Sequence, residues 1–74
     1  MTVVAETFIP RSSSHIAGIS YDPEVENMDV EFSDGSTYTY FSVPVSVYRA
    51  WCSEGGSGQF FARQVKNRYA YEQH

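Results

Sequence analysis

The sequence has few of the features that cross-link a chain or anchor it in a membrane. It contains one cysteine, Cys52, so no intrachain disulfide can form, whereas small secreted domains usually depend on such bonds. Its opening stretch has no basic segment followed by a long apolar run, which argues against a signal peptide and against a membrane span. We therefore expect a protein of the cytoplasm, a reducing compartment, with no contact to membranes.

Basic residues are also few, five against nine acidic ones, which gives a net charge of −4. Their placement is uneven, because residues 1–37 carry seven acids and one arginine, whereas residues 38–74 carry four basic and two acidic residues. Strong nonspecific binding to nucleic acid needs several cations that meet phosphates at once, and the overall balance argues against it. A small basic patch in the second half is still compatible with weaker binding.

Aromatic residues, in contrast, make up 16% of the 74 residues. A domain of this size buries only roughly 60% of the surface that its unfolded chain exposes, so its stability is modest. Large rings compensate, since each removes a large apolar area from water for one ordered residue. We expect one folded domain without repeats or linkers.

Alternation of apolar and polar residues predicts a β-hairpin in the middle of the chain. Residues 28–32 alternate with the period of a strand that has one buried face and one wet face. Asp34–Gly35 suits the positive φ values of a tight turn, and the β-branched and aromatic residues at 36–41 predict the partner strand. Tyr38 and Tyr40 should then share one face of the sheet.

Two further segments extend the predicted sheet. Residues 15–21 have a strand-like composition, and Pro23 ends that strand because it supplies no backbone donor. Within the N-terminal segment at residues 1–12, Val3–Ala5 and Thr7–Ile9 could add an edge strand before Pro10. The sheet should therefore have three or four strands.

The second half of the chain predicts two helices. Pro44 suits a first helical position, and the apolar residues after it fall on one half of a helical wheel. Gly55–Gly56 ends this helix, and Ser57 caps a second one that Asn67 closes in a left-handed conformation. Tyr69–Tyr71 looks like a short extended tail. The predicted fold is α+β, an antiparallel three- to four-stranded β-meander packed against two C-terminal helices.

Six short motifs follow one another in a characteristic order. They are Ser13–Ile16, Ile19–Asp22, Phe32–Gly35, Tyr38–Tyr40, Val43–Pro44 with Val47–Tyr48, and Gly58–Tyr71. In this order and spacing they resemble the KTSC domain, a small module named for the C-terminus of some lysyl-tRNA synthetases and also found as a free-standing protein. The resemblance implies a single domain at residues 13–72, and the attachment to a synthetase suggests RNA binding.

Aromatic and basic side chains together form the candidate contact for RNA or another single-stranded nucleic acid. Rings can stack on unpaired bases, and cations can meet phosphates. The candidate residues are Tyr38, Tyr40, Arg63, Lys66, Arg68, Tyr69 and Tyr71. The alternative for the tyrosines is packing beneath the helices, and for the cations an ordinary solvated helix face. Because the cations are few, the binding would be weak and strongly salt dependent.

The acidic residues of the first half support a second hypothesis. Glu24, Glu26, Asp29 and Glu31 would form an acidic edge of the sheet. Such an edge fits a protein-binding adaptor, or a phage or mobile-element protein, that docks on a basic surface of a host protein. The sequence leaves the partner and the oligomeric state open.

We predict no catalytic, metal or cofactor site. Ser14 and His15 are neighbours on a strand, so their side chains point to opposite faces and cannot readily exchange a proton. His15, Cys52 and His74 do not have the spacing of metal ligands. Gly55–Gly58 lacks the lysine and the preceding strand of a phosphate-binding loop. The expected protein is therefore a small binding module that is not an enzyme.

Overall fold

The chain folds into an antiparallel sheet with two short helices inserted before its last strand. The computed structural model describes residues 6–10 and 15–74. The strands within them are β1 (Glu6–Phe8), β2 (Ile16–Asp22), β3 (Asn27–Phe32), β4 (Thr37–Tyr40) and β5 (Tyr71–Gln73). The helices are α1 (Val45–Ser53) and α2 (Gly58–Phe60), and α2 continues into a π-helical turn (Phe61–Val65). The sheet order is β1-β2-β3-β4-β5, so the predicted α+β meander is confirmed.

The β3–β4 hairpin follows directly from the alternating sequence. Val30 pairs with Tyr38 and Met28 with Tyr40, so both tyrosines lie on one face as predicted. In the turn, Gly35 has φ +93°. The Asp34 carboxylate accepts hydrogen bonds from the backbone N–H and the hydroxyl of Ser36 at 2.9 and 2.7 Å. These bonds lower the pKa of Asp34.

The core lies between one face of the sheet and the helices. Its buried members include Ile19, Tyr21, Met28 and Val30 from the strands, and Tyr48, Trp51, Phe60 and Val65 from the helical segment. The buried rings keep their polar atoms paired: the Trp51 indole donates to the Ser57 carbonyl at 2.8 Å, and the Tyr21 hydroxyl donates to the Val43 carbonyl at 2.6 Å. Burial of these rings therefore leaves neither polar atom unpaired.

The number of strands differs from the prediction of three or four. The tail predicted around Tyr69–Tyr71 instead provides β5, whose three residues pair with β4. Residues 71–73 show no alternation of their own, and their partner strand lies far upstream, so local pattern could not reveal the pairing. At the other edge, β1 pairs with β2 as the prediction for Thr7–Ile9 suggested, whereas Val3–Ala5 lies outside the described residues.

The helical segment is shorter and more irregular than the predicted pair of helices. Ser57 caps α2, since its hydroxyl accepts from the Phe60 N–H at 3.1 Å. The Lys66 N–H then bonds to the Phe61 carbonyl at 2.9 Å, the five-residue spacing of a π turn. Asn67 ends the segment at φ +67°, as predicted. No helix in residues 6–10 and 15–74 is long and apolar enough to cross a membrane.

Candidate ligand-binding pocket

A cavity of about 630 Å³ opens between the β3–β4 hairpin, β5 and the π turn. Its aromatic lining, here called the aromatic wall, consists of Phe32, Tyr38, Tyr40, Phe61 and Tyr71. Its polar lining consists of His15, Ser33, Asp34, Ser36, Lys66 and Asn67. The volume lies within the range of small-molecule sites, which is about 300–1,000 Å³.

The aromatic wall is continuous, because each ring touches the next. The Tyr71 ring centre lies 5.7 Å from that of Tyr38 and 5.5 Å from that of Tyr40. Phe61 lies 5.7 Å from Tyr40 and 5.5 Å from Phe32, in both cases edge to face. Tyr40 is only 4% exposed, whereas Tyr71 is 56% exposed. The wall thus runs from the core to an exposed ring at the edge of the sheet.

The strand register explains why these rings meet. Tyr71 pairs with Tyr40 across β4 and β5, so both side chains leave the sheet on the side of the helices. Phe61 is one turn before the fully buried Val65, which packs the π turn against the sheet. The aromatic wall is therefore built from the same face that forms the core.

Most of the polar lining comes from two turns, and His15 adds to it from the position just before β2. Lys66 and Asn67 follow the π turn, where the left-handed backbone of Asn67 reverses the chain beside the cavity. Asp34 and Ser36 belong to the hairpin turn on the other side. The cavity therefore offers one lysine cation and one carboxylate beside a large apolar surface.

The tyrosine hydroxyl deepest in the aromatic wall stays neutral at ordinary pH. Burial, followed by the neighbouring hydroxyls of Tyr38 and Tyr71, raises the pKa of Tyr40 to about 12. A neutral hydroxyl both donates and accepts hydrogen bonds. Tyr40 can therefore contribute a ring and a polar atom, but no charge.

The pocket brings together four of the seven residues proposed to bind nucleic acid, namely Tyr38, Tyr40, Lys66 and Tyr71. Tyr40 is packed into the core, in keeping with the alternative that the tyrosines pack beneath the helices. Tyr71 is exposed, so its ring is open to solvent.

The other three predicted residues lie outside the lining of the pocket. The Arg63 guanidinium lies 3.8 Å from the Glu54 carboxylate and donates to the Gln59 carbonyl at 3.3 Å. Arg68 donates to the Arg63 carbonyl at 3.2 Å, which keeps the two arginines adjacent on an exposed surface. Tyr69 is partly buried against the core.

The acidic residues do not share an edge of the sheet. Glu24 and Glu26 lie in the turn between β2 and β3. Asp29 and Glu31 lie on β3, which pairs with β2 on one side and with β4 on the other and is therefore the central strand. Both point to the sheet face opposite the helices, here called the open face, because they alternate with the buried Met28 and Val30.

The sequence reasoning missed several residues of the lining, notably His15, Phe32, Phe61 and Asn67. Phe32 continues the alternation of Met28 and Val30, so its position on the inner face was available from the sequence. His15 was considered as a base and as a metal ligand but not as part of a binding pocket, yet the pairing of Ile16 with Phe32 brings its strand to the same end of the hairpin.

Metal and thiol chemistry find little support. Within the described part of the chain, no three His, Cys, Asp or Glu residues are grouped so that they could hold a metal ion. Burial raises the pKa of the half-buried Cys52 thiol, although a hydrogen bond with Tyr48 opposes the shift. A thiol of raised pKa is a poor nucleophile.

The chain is similar to known proteins in sequence. The family model described as the KTSC domain matches residues 12–69. A lysine–tRNA ligase of Nostoc sp. is 32% identical over 71 residues, which cover 96% of this chain and 13% of the ligase. An uncharacterized protein of Stutzerimonas stutzeri is 35% identical over 57 residues, which cover 77% of this chain and 80% of that protein. The chain therefore spans only a small part of the ligase.

The fold itself has a counterpart among solved structures. The crystal structure of a KTSC domain protein from Yersinia pestis superposes with a TM-score of 0.80 at 30% sequence identity. The match covers 96% of this chain and 99% of the other. Because the family model spans most of the residues and the same fold extends over nearly the whole length of both proteins, the chain belongs to the KTSC domain family.

Proposed function

We propose that this domain is a non-catalytic binding module whose pocket takes an unpaired base of single-stranded RNA. The observation that carries the proposal is the continuous aromatic wall, which ends in the exposed Tyr71 ring of a pocket that Lys66 also lines. Stacking needs a free ring face next to water, and a phosphate contact needs a cation within reach of the stacked base.

The size and chemistry of the pocket favour a flat ligand. Its neighbouring ring centres lie 5.5 to 6.4 Å apart in edge-to-face, tilted and stacked contacts, so the rings form one contiguous apolar surface. Every base has a π face, and stacking on an aromatic side chain contributes about 1–3 kcal/mol per base. A double helix hides these faces, so the expected ligand is a single strand.

The cations set the expected strength of binding. Lys66 lies at the pocket, and Arg63 and Arg68 lie nearby in the chain on the exposed surface of the same segment. Three phosphate contacts at most would release few counterions, so the affinity should be low. Its logarithm should fall with the logarithm of salt with a slope of about −0.7 per contact.

The relatives support RNA as the class of ligand. Enzymes named as lysine–tRNA ligases contain a segment similar to 96% of this chain. A protein that handles tRNA gains from an additional site for an unpaired base, because linked sites raise the overall affinity without further contacts.

The proposal is tested by NMR titration with hexaadenylate at low salt. We expect shifts at Phe61, Lys66 and Tyr71 that fade as the salt concentration rises, and no comparable response to a duplex of the same length. Tyr71→Leu should weaken binding roughly tenfold, because it removes one stacking face from an exposed position.

Charge removal provides a matched control for this titration. Lys66→Gln should weaken binding of hexaadenylate, whereas Arg49→Gln, an equal loss of charge at an exposed position of α1 outside the pocket lining, should not. Unchanged spectra with millimolar hexaadenylate at low salt would rule out the RNA proposal.

A second candidate function uses the open face. Asp29, Glu31 and Glu72 are all exposed there, on β3 and β5. This arrangement suits a protein-binding adaptor that docks on a basic surface of a partner. A lysine-rich peptide that shifts the resonances of these residues, and loses this effect in the double variant D29N/E31Q, would support the adaptor. A peptide that shifts none of them would exclude it.

A further inference from the structure

Three polar side chains on the open face, from β3, from β4 and from the residue after β5, form a chain of hydrogen bonds. The Thr39 hydroxyl of β4 donates to the Asp29 carboxylate of β3 at 2.6 Å. The same hydroxyl lies 2.7 Å from Nε2 of His74, which follows β5. We call this arrangement the Asp29–Thr39–His74 chain. It bridges the central strand and the segment at the edge of the sheet.

The direction of the two hydrogen bonds follows from the donors available. A threonine hydroxyl carries one hydrogen, and in Thr39 that hydrogen goes to Asp29. The oxygen of Thr39 therefore accepts from His74, which must carry its proton on Nε2. The carboxylate polarises the hydroxyl and strengthens the second bond. Thr39 as a whole is only 9% exposed.

The Asp29–Thr39–His74 chain reinforces β5, a strand with few other hydrogen bonds to the rest of the sheet. β5 has three residues, all of them exposed, and it lies at the edge of the sheet. Outside the three-residue ladder, two backbone bonds hold it to the β4 side: Phe41 N–H to the Ala70 carbonyl at 2.9 Å and His74 N–H to the Thr37 carbonyl at 2.8 Å. Short edge segments of this kind open locally at low cost in free energy.

The same segment carries the exposed end of the aromatic wall on its other face. Tyr71 faces the pocket, whereas Glu72 and His74 face the opposite way because strand residues alternate. We propose that His74 is a positioning residue, which anchors β5 on the open face and so holds Tyr71 in place on the pocket face. Its effect on ligand affinity rests on the proposed function, whereas its effect on β5 does not.

Amide hydrogen exchange measured by NMR on the whole chain tests the anchoring. His74→Leu keeps a similar size but removes the donor, so the amides of Phe41 and of residue 74 should exchange about three- to tenfold faster. His74→Gln places an amide donor near the position of Nε2 and should restore slow exchange. The Val43 amide, which bonds to the Glu26 carbonyl at 2.8 Å, should not change in either variant.

Cross-relaxation between rings gives the second measurement. In His74→Leu, the contacts from the Tyr71 ring to Tyr38 and Tyr40 should weaken, and in His74→Gln they should persist. Exchange rates and ring contacts that are the same in His74→Leu and in the unmodified protein would overturn the inference. A glutamine variant that behaves like the leucine variant would overturn it as well.

Titration with hexaadenylate separates this inference from the proposed function. A several-fold loss of affinity in His74→Leu, restored in His74→Gln, supports the link to the pocket. If β5 loosens but both variants bind as the unmodified protein does, the link is overturned. If hexaadenylate binds none of the three proteins while β5 still loosens, the positioning role stands and the RNA proposal falls.

Discussion

At the scale of single residues, Gly56 connects two distant parts of the fold. It is buried in the loop after α1 and has φ +70°. A Cβ atom added there would lie 2.7 Å from two ring atoms of Pro10 and 3.0 Å from the Phe8 ring. The glycine therefore satisfies two demands together, a left-handed backbone and close contact with the segment after β1.

Gly56→Ala should lower the free energy of unfolding by roughly 2–5 kcal/mol, since the left-handed backbone costs about 1–2 kcal/mol and the overpacking about 1–3 kcal/mol. Gly35→Ala is the matched control, because Gly35 also has a positive φ but a Cβ atom added there would have no other atom within 4 Å. Urea unfolding followed by Trp51 fluorescence measures both. Equal losses in the two variants would mean that contact with Pro10 contributes nothing.

Local chemistry made part of these residue positions predictable. Gly35 and Asn67 were predicted to adopt positive φ because their neighbours already defined a turn and a helix end. Gly55–Gly56 was predicted to end α1 for the same reason. The contact of Gly56 with Pro10 joins residues that are far apart in the sequence, and no local pattern carries that information.

At the scale of secondary structure elements, the region after α1 depends on one serine. The Ser57 hydroxyl accepts from the Phe60 N–H, and the Ser57 carbonyl accepts from the Trp51 indole. A helix as short as α2 gains little from its own backbone bonds, so capping and packing have to stabilise it.

Ser57→Ala should therefore cost about 1 kcal/mol of stability, the usual value for loss of an N-cap. Ser53→Ala, an exposed substitution within α1, should change the stability by less than about 0.5 kcal/mol. Thermal unfolding by circular dichroism measures the difference. A Ser57→Ala variant that melts at the same temperature as Ser53→Ala would contradict the capping role.

The sequence could predict those elements in which apolar and polar residues recur with a clear period. β3 and β4 alternate in polarity and are joined by a recognisable turn, so the hairpin and the shared face of Tyr38 and Tyr40 were predictable. β5 and the π turn are set by tertiary packing instead. The pocket is formed by all of these elements. Tyr38 and Tyr40 could be predicted because they lie on the hairpin, whereas the shape of the pocket could not, because it also depends on β5 and the π turn.

At the scale of the whole molecule, the buried tyrosines should make the folded state less stable at alkaline pH. Burial raises the pKa of Tyr40 to about 12 and also raises the pKa values of Tyr21 and Tyr48. In the unfolded chain these groups ionise near pH 10. Ionisation therefore favours the unfolded state, and the contribution of each neutral ring is complete below about pH 10. The contribution of Tyr40 is lost as the pH rises from 10 through about 12, and those of Tyr21 and Tyr48 are lost as the pH rises through their own raised pKa values.

We expect the free energy of unfolding to fall steadily above pH 10, together with tyrosinate absorbance at 295 nm that appears late for the buried rings. Tyr40→Phe should make this fall shallower, because one ionisable ring is removed. Urea titrations at several values between pH 8 and pH 12 measure the profile. A flat profile in the unmodified protein would show that the buried rings ionise as freely as exposed ones.

The order of the strands also has a kinetic consequence. β2, β3 and β4 are joined by short turns, whereas β4 ends at Tyr40 and β5 begins only at Tyr71, after both helices. Closing a longer loop costs more chain entropy, so this pairing should form after the hairpins. A folding molecule would then form the hairpins of β2, β3 and β4 first and complete the pocket last, when β5 pairs with β4.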